Sequence, residues 1–233
     1  LQPPSSPVRD TTKVSSSMAH LATQARLEIQ KATSLDSFIR KKQSKTYQAP
    51  QPSAHPAAAM LHTYERDGFP ASTGNPWSLQ TILDGIRQGP HASTLNPATT
   101  AFCRQELTER VHRGFSVILS QEDALRYFNQ RLKISRLAAI DQPNRKPRLI
   151  CNSTAEPNKS TKSVNQTTDT SQNPGAMQFG PCLARVLQRI WEADPNDGPV
   201  YLSKWDISDA FHRCPLHPKD VGSFAYVVPP LPA

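Results

Sequence analysis

Asp206 and Asp209, within YLSKWDISDAFHRC (201–214), are the residues of this 233-residue chain best placed to do chemistry. The apolar run VYLSKWDI (200–207) reads as a buried strand. Its pattern puts Asp206 at the strand's C-terminal edge, where a carboxylate reaches a cleft without being buried. A hard divalent cation such as Mg²⁺ takes oxygen ligands and keeps several waters, so one or two carboxylates anchor it. Two-metal phosphoryl transfer needs a further acid from elsewhere, because the paired ions clamp both the attacking and the leaving oxygens. Asp209 lies one turn on and need not face the same way. By spacing alone, D-x-x-D is also what solvated or capping carboxylates produce. By residue type alone, Phe211 is an ordinary core aromatic.

The elements that must position these residues are legible around them. SDAFHRC (208–214) suits a short helical turn, and SFAYVV (223–228) reads as a further strand. Upstream, LKISRLAAI (132–140) and PRLICN (147–152) are β-rich runs joined by the polar turn DQPNRK, the pattern of a hairpin with a basic tip. Residues 153–178 are polar and without period, and Pro181 opens a helix carrying Leu183, Val186, Leu187, Ile190 and Trp191. Before the hairpin, Asn75 and Pro76 pair as N-cap and first turn for a helix bearing Trp77, Leu79, Ile82, Leu83 and Ile86 before Gly89. The same punctuation recurs at Asn96 and Pro97, with Ala101, Phe102, Leu107 and Val111 as the stripe before Gly114. FSVILS (115–120) is strand-like, and a short helix follows from Gln121 to about Gln130. Helices mixed with hairpins and no internal repeat indicate the α+β class.

Composition divides the chain. Hydrophobic residues make up 36%, mean hydropathy is −0.56, and 22 Pro stand against 9 Gly, which is poor for one compact core of this length. The deficit concentrates in residues 1–75, rich in Ser, Thr, Pro, Gln and Ala, which are expected to form a disordered arm. Within it Met18, Leu21, Ala25, Leu27 and Ile29, then Leu35, Phe38 and Ile39, allow short amphipathic helices. Residues 76–131 form a helical lead-in, and 132–233 carry the hairpin and the acidic segment. The basic patch IRKKQSK (39–45) reads as a solvated charge run more readily than as a nucleic-acid or localisation signal. Net charge is +8 with a pI near 9.5, compatible with a polyanionic partner but not diagnostic of one. Cys103, Cys151, Cys182 and Cys214 lie far apart, which argues against a zinc module or a disulfide framework and for reduced, intracellular thiols, cytoplasmic or nuclear. No apolar run is long enough to span a bilayer and no signal peptide opens the chain, so no membrane partner is expected. The sequons at Asn152, Asn158 and Asn165 are chance matches on this reading. Leu1 in place of Met suggests an internal piece of a longer reading frame.

Residues 201–228 as a whole resemble motif A of reverse transcriptases. In that family a strand-end aspartate precedes D-A-[FY], a P-L or L-H-P stretch and an F-A-[FY] strand. Here those elements stand in order as Asp206, Asp209-Ala210-Phe211, Pro215-Leu216-His217-Pro218 and Phe224-Ala225-Tyr226. The resemblance implies a partial right-hand polymerase fold, fingers and first part of the palm, from a retrotransposon RNA-directed DNA polymerase. It makes Asp206 the catalytic carboxylate, binding Mg²⁺ (or Mn²⁺) with the carbonyl of Ile207 as a further ligand. Phe211 becomes the floor beneath the incoming sugar, clashing with a 2′-hydroxyl and so favouring dNTPs. Asp209 and Ala210 take supporting places beside the nucleotide. SRLAAIDQPNRKPRLICNS (135–153) resembles the family's fingers hairpin, with Arg148 where an arginine grips the triphosphate. A guanidinium suits that task, being planar, bidentate and permanently charged. Ser163-Val164-Asn165 resembles the S-V-N that follows this hairpin, and GPHAS (89–93) with LKISRLAAI resembles the lead-in of tyrosine-recombinase-type elements.

The departures are specific. Gln142 stands where a triphosphate-binding lysine is usual, with Arg145 or Lys146 as the available substitute, and Asn152 stands where an aspartate is usual. No Asp-Asp pair occurs in the chain, so the Y-x-D-D box is missing and the metal site is incomplete. The expectations are therefore a polymerase fragment whose intact form takes RNA/DNA template-primer and dNTP, or a catalytically dead remnant with at most non-specific nucleic-acid binding. A phosphotransferase using Asp206 and Asp209 as a pair leaves the hairpin and the F-A-Y strand unexplained. Half a palm leaves sheet edges unpaired, so the isolated chain is expected to be poorly stable.

Overall fold

The computed structural model describes residues 18–43, 58–169, 171, 182–194, 196, 198–201 and 210–230. They form an α+β structure around a three-stranded sheet of order β2-β1-β3, in which β1 is Ile134–Gln142, β2 is Arg145–Asn152 and β3 is Ala225–Tyr226. The hairpin is where the sequence places it, with its turn tightened to Pro143-Asn144. Proline holds φ negative and Asn144 takes the left-handed conformation (φ 57°), the order a type II turn uses. The β1–β2 register runs from Arg136 opposite Asn152 to Ile140 opposite Arg148, then slips at a bulge between Ile140 and Gln142.

β3 lies on the other side of β1, in parallel, with Ile134 opposite Ala225 and Ser135 opposite Tyr226. The expected six-residue strand 223–228 is thus reduced, because Val221–Phe224 winds into a 3₁₀ turn before it. Beyond β3 the edge of β1 is covered by the segment at 91–93. The His91 N–H donates to the Leu137 carbonyl (2.8 Å), and the Ala139 N–H donates to Ser93 Oγ (3.1 Å). That satisfies ladder groups which an open edge would leave to another chain.

Alternation along β1 and β2 separates two faces. Leu137, Ala139 and Leu149 point to one side and pack on Cys103 and Leu107 of α5 (Pro97–His112), with Tyr226 and Val228 at the margin. α5 begins as its sequence indicates: Asn96 Oδ1 accepts the Thr99 N–H at 2.8 Å and Pro97 occupies the first turn. Its buried stripe is Thr100, Cys103 and Leu107. Ile134 packs instead into a second core with Trp77, Ile82, Phe128, Leu132 and Val164. Ile82 belongs to α4 (Leu79–Gln88), whose N-cap is Ser78, not Asn75; its Oγ accepts the Thr81 N–H. Gly85 of α4 lies so close to β1 that an added Cβ would meet Ile134 Cβ at 2.9 Å. α6 (Gln121–Phe128) is capped by Ser120 and continues into a 3₁₀ turn, Asn129–Arg131.

A disordered arm over 1–75 does not describe residues 18–43 and 58–75. α1 (Met18–Lys31) buries Leu21, Ala25 and Ile29 at four-residue spacing, and α2 (Leu35–Gln43) buries Phe38 and Ile39. Ile29, Phe38 and Ile39 sit in the same core as Trp77 and Phe128. α1 and α2 are the short amphipathic helices that the spacing of Leu21, Ala25 and Ile29, and of Leu35, Phe38 and Ile39, allows within the apolar-poor arm. The basic patch is also not wholly solvated: Arg40 donates to the Arg66 carbonyl, Lys42 pairs with Glu28, and Gln43 donates to the Leu216 carbonyl. α3 (Ala58–Asp67) leads to Phe69, which pairs with Leu216.

FSVILS forms no strand. Residues 116–120 run as irregular chain. They line an apolar groove of about 660 Å³ with Phe38, Ile39, Phe128 and Val227. α7 (Val164–Thr167) and α8 (Cys182–Trp191) complete the described helices; Pro181, expected to open α8, lies outside the described residues. The apolar stripe of α8 faces outward, with Leu183 72% and Trp191 90% exposed. No helix among the described residues is long and apolar enough to cross a membrane.

Candidate functional site

Asp206, Ile207 and Asp209 lie outside the described residues, and so do most of the expected strand 200–207 and the side chains of Ala210 and Phe211. The next stretch of chain has a defined place. Ala210–Arg213 forms a 3₁₀ turn, as SDAFHRC suggests, and the His212 ring lies 5.5 Å from that of Phe115. Pro215-Leu216-His217-Pro218 docks on the end of α3: the Phe69 N–H donates to the Pro215 carbonyl (2.7 Å), and the His217 N–H donates to the Phe69 carbonyl (2.8 Å). Ala225-Tyr226 then enters the sheet as β3.

Lys146 and Arg148 are both exposed on β2, but the bulge falls between them, and it is Arg148 that shares the face of its partner Ile140. That face is opposite to Leu149 and α5, and it also carries Arg136, across from Asn152. Arg136 is turned to the Pro90 carbonyl, and the register does not bring Arg148 beside β3. Arg148 lies opposite Ile140, whereas β3 pairs with Ile134 and Ser135. At the rise of an extended strand that separation is roughly 20 Å. Gln142 pairs with Arg145 next to the turn. Asn152, where the resemblance expects an acid, has a structural use: its Oδ1 accepts from the Thr154 N–H (3.1 Å) and hydroxyl (2.5 Å), turning the chain out of β2. Ser163-Val164-Asn165 caps α7 through a reciprocal pair, Gln166 N–H to Ser163 Oγ and Ser163 N–H to Gln166 Oε1. The Asn165 N–H returns to the Ser153 carbonyl.

Asp206 and Ile207, the expected ligands of Mg²⁺ or Mn²⁺, have no place among the described residues. Among those residues no group of three or more His, Cys, Asp or Glu side chains could hold a metal ion. Asp220, in the loop before β3, spends Oδ2 on the Ala71 N–H (3.0 Å).

Sequence reasoning missed Lys133. It is one of two cations in LKISRLAAI, with Arg136, and it is 2% exposed. Its ammonium donates to the Thr73 carbonyl and stands 5.9 Å from the centre of the Trp77 ring. Burial pushes its pKa down. A lysine flanked by Leu132 and Ile134 at the start of a strand was the available signal.

No protein family, curated protein or solved structure matches the chain.

Proposed function

We propose that this chain is the fingers and motif A region of a retroelement reverse transcriptase, acting on template-primer and dNTP. The supporting observation is the sheet itself: Ala225-Tyr226 of the F-A-Y segment runs parallel to β1, the first strand of the basic hairpin. Two segments that resemble one enzyme family are thereby packed as one unit, although a long stretch of chain separates them.

On this reading Arg148 and Lys146 hold the triphosphate from an exposed strand face, where charge-assisted bonds form without a desolvation penalty on folding. Phe211, with Ala210 and Asp209 beside it, closes the sugar side against a 2′-hydroxyl. Asp206 and the Ile207 carbonyl are the proposed ligands of Mg²⁺ or Mn²⁺, which when bound neutralises charge on the phosphates. The test is primer extension by the full reading frame that encodes this chain. Asp206→Ala should abolish synthesis while leaving template-primer binding intact. Synthesis that survives the substitution rejects the assignment.

A second reading, nucleic-acid binding without catalysis, is favoured by the same basic face, which needs no metal to hold a polyanion. It is separated from the first by the same assay: duplex binding with no extension by the unsubstituted full frame supports it. Absence of binding at low salt removes both.

A further inference from the structure

We infer that the polar cleft around Lys133 is an anion site that takes a phosphate group. The cleft has a volume of about 270 Å³ and is built from three separate stretches of chain: Thr73 before α4, Arg131 and Lys133 at the entry to β1, and Lys219, Asp220 and Ser223 before β3. It lies at the opposite end of β1 from the residue facing Arg148, roughly 20 Å along the strand, and does not depend on the polymerase reading.

An ammonium group is seldom buried without an acid, since removal from water costs several kcal/mol and is normally offset by a paired charge. Lys133 is buried with no carboxylate within ion-pair distance among the described residues. One of its three N–H donors goes to the Thr73 carbonyl, and the Trp77 ring contributes a weak attraction at 5.9 Å. The remaining donors have no protein acceptor among the described residues. Arg131 and Lys219 add two more cations to the same cleft. Against them stands only Asp220, and one of its oxygens is already engaged by the Ala71 N–H. The hydroxyls are arranged to donate as well. Thr73 Oγ1 donates to Ser223 Oγ at 2.9 Å, which leaves the Ser223 proton for another acceptor. Cations in excess and a free hydroxyl donor in a polar recess are the complement of a tetrahedral oxyanion. Burial pushes the pKa of Lys133 down, and an anion in the cleft would oppose that shift.

A phosphate group reaches such a cleft either as a terminal phosphate of a small molecule or as a diester of a nucleic-acid backbone. The experiment follows the thermal midpoint of the whole chain against inorganic phosphate, with chloride at matched ionic strength as the control. The same titration with dimethyl phosphate reports the diester. The midpoint should rise with phosphate over chloride. Lys133→Met, close in shape and neutral, should weaken that response at least tenfold, whereas Lys133→Arg should retain it. Arg131→Ala, at an exposed position, should weaken it about threefold and guards against a folding defect in the buried variants. A response to phosphate alone assigns the site to terminal phosphates; a response to both extends it to a backbone. A wild-type midpoint that does not distinguish phosphate from chloride overturns the inference, as does an equal phosphate response in Lys133→Met.

Discussion

Phe69 and Leu216 pair as an isolated parallel bridge, closed by the Phe69 N–H on the Pro215 carbonyl and the His217 N–H on the Phe69 carbonyl. The bridge fastens the segment after α3 to the stretch that follows the acidic motif. It requires very close backbone approach at the preceding residue. Gly68 has φ +86°, and a Cβ there would meet backbone atoms of Leu216 and His217 at 2.5 Å. Both the conformation and the space exclude a side chain. Gly68→Ala should therefore destabilise the chain by about 2 kcal/mol or more. A urea midpoint equal to that of the unsubstituted chain would show the bridge to be dispensable.

Phe38 tests whether the N-terminal helices belong to the core. The ring is 3% exposed and shares its cluster with Trp77 and Phe128. Phe38→Ala should cost about 3–5 kcal/mol. An unstructured arm would lose nothing, so unfolding measured on this single variant separates the two.

The buried lysine makes stability depend on alkaline pH. The folded pKa of Lys133 is below its ordinary value of 10.5, so between the two the unfolded chain binds more protons than the folded one. Its contribution to stability should therefore rise as pH climbs through that window, and below the folded pKa the penalty is complete and constant. Arg131, Lys219 and Asp220 are the charged groups on the same cleft. Lys133→Met should remove this slope and raise stability at neutral pH. Parallel denaturant titrations from pH 7 to 10 compare the two proteins; identical slopes would contradict the burial argument.

Arg148 and Lys146 should matter for binding and not for folding. Both are exposed, so Arg148→Ala should leave the melting temperature unchanged within about 1 °C while weakening duplex or triphosphate binding roughly tenfold, about 1.4 kcal/mol. Lys146→Ala should reduce the salt dependence of duplex binding by about one phosphate contact. Fluorescence anisotropy across a salt series reads both effects. Unaltered affinity in the double variant would remove the hairpin face from any binding role.

Local interactions made several elements readable from residue order. Asn96 and Pro97 start α5 because the cap and the first turn are settled within four residues, and Pro143-Asn144 turns the hairpin because both residues carry their own backbone preference. The mixed helix and strand class follows from such signals. The basic hairpin tip is legible too, but the bulge between Lys146 and Arg148 is not, since it is set by pairing with β1. What tertiary structure alone decided depends on partners distant in sequence. FSVILS has strand-forming residues but forms no ladder among the described residues, and β3 keeps only Ala225 and Tyr226 because β1 has room for them only at Ile134 and Ser135, before His91 and Ser93 take the edge. Phe38 and Ile39 become core because Trp77 and Phe128 arrive against them, which average composition over residues 1–75 cannot express. Lys133 is covered for the same reason: the chain on either side of it names a strand, but only the approach of Thr73 and Ser223 builds the cleft around it.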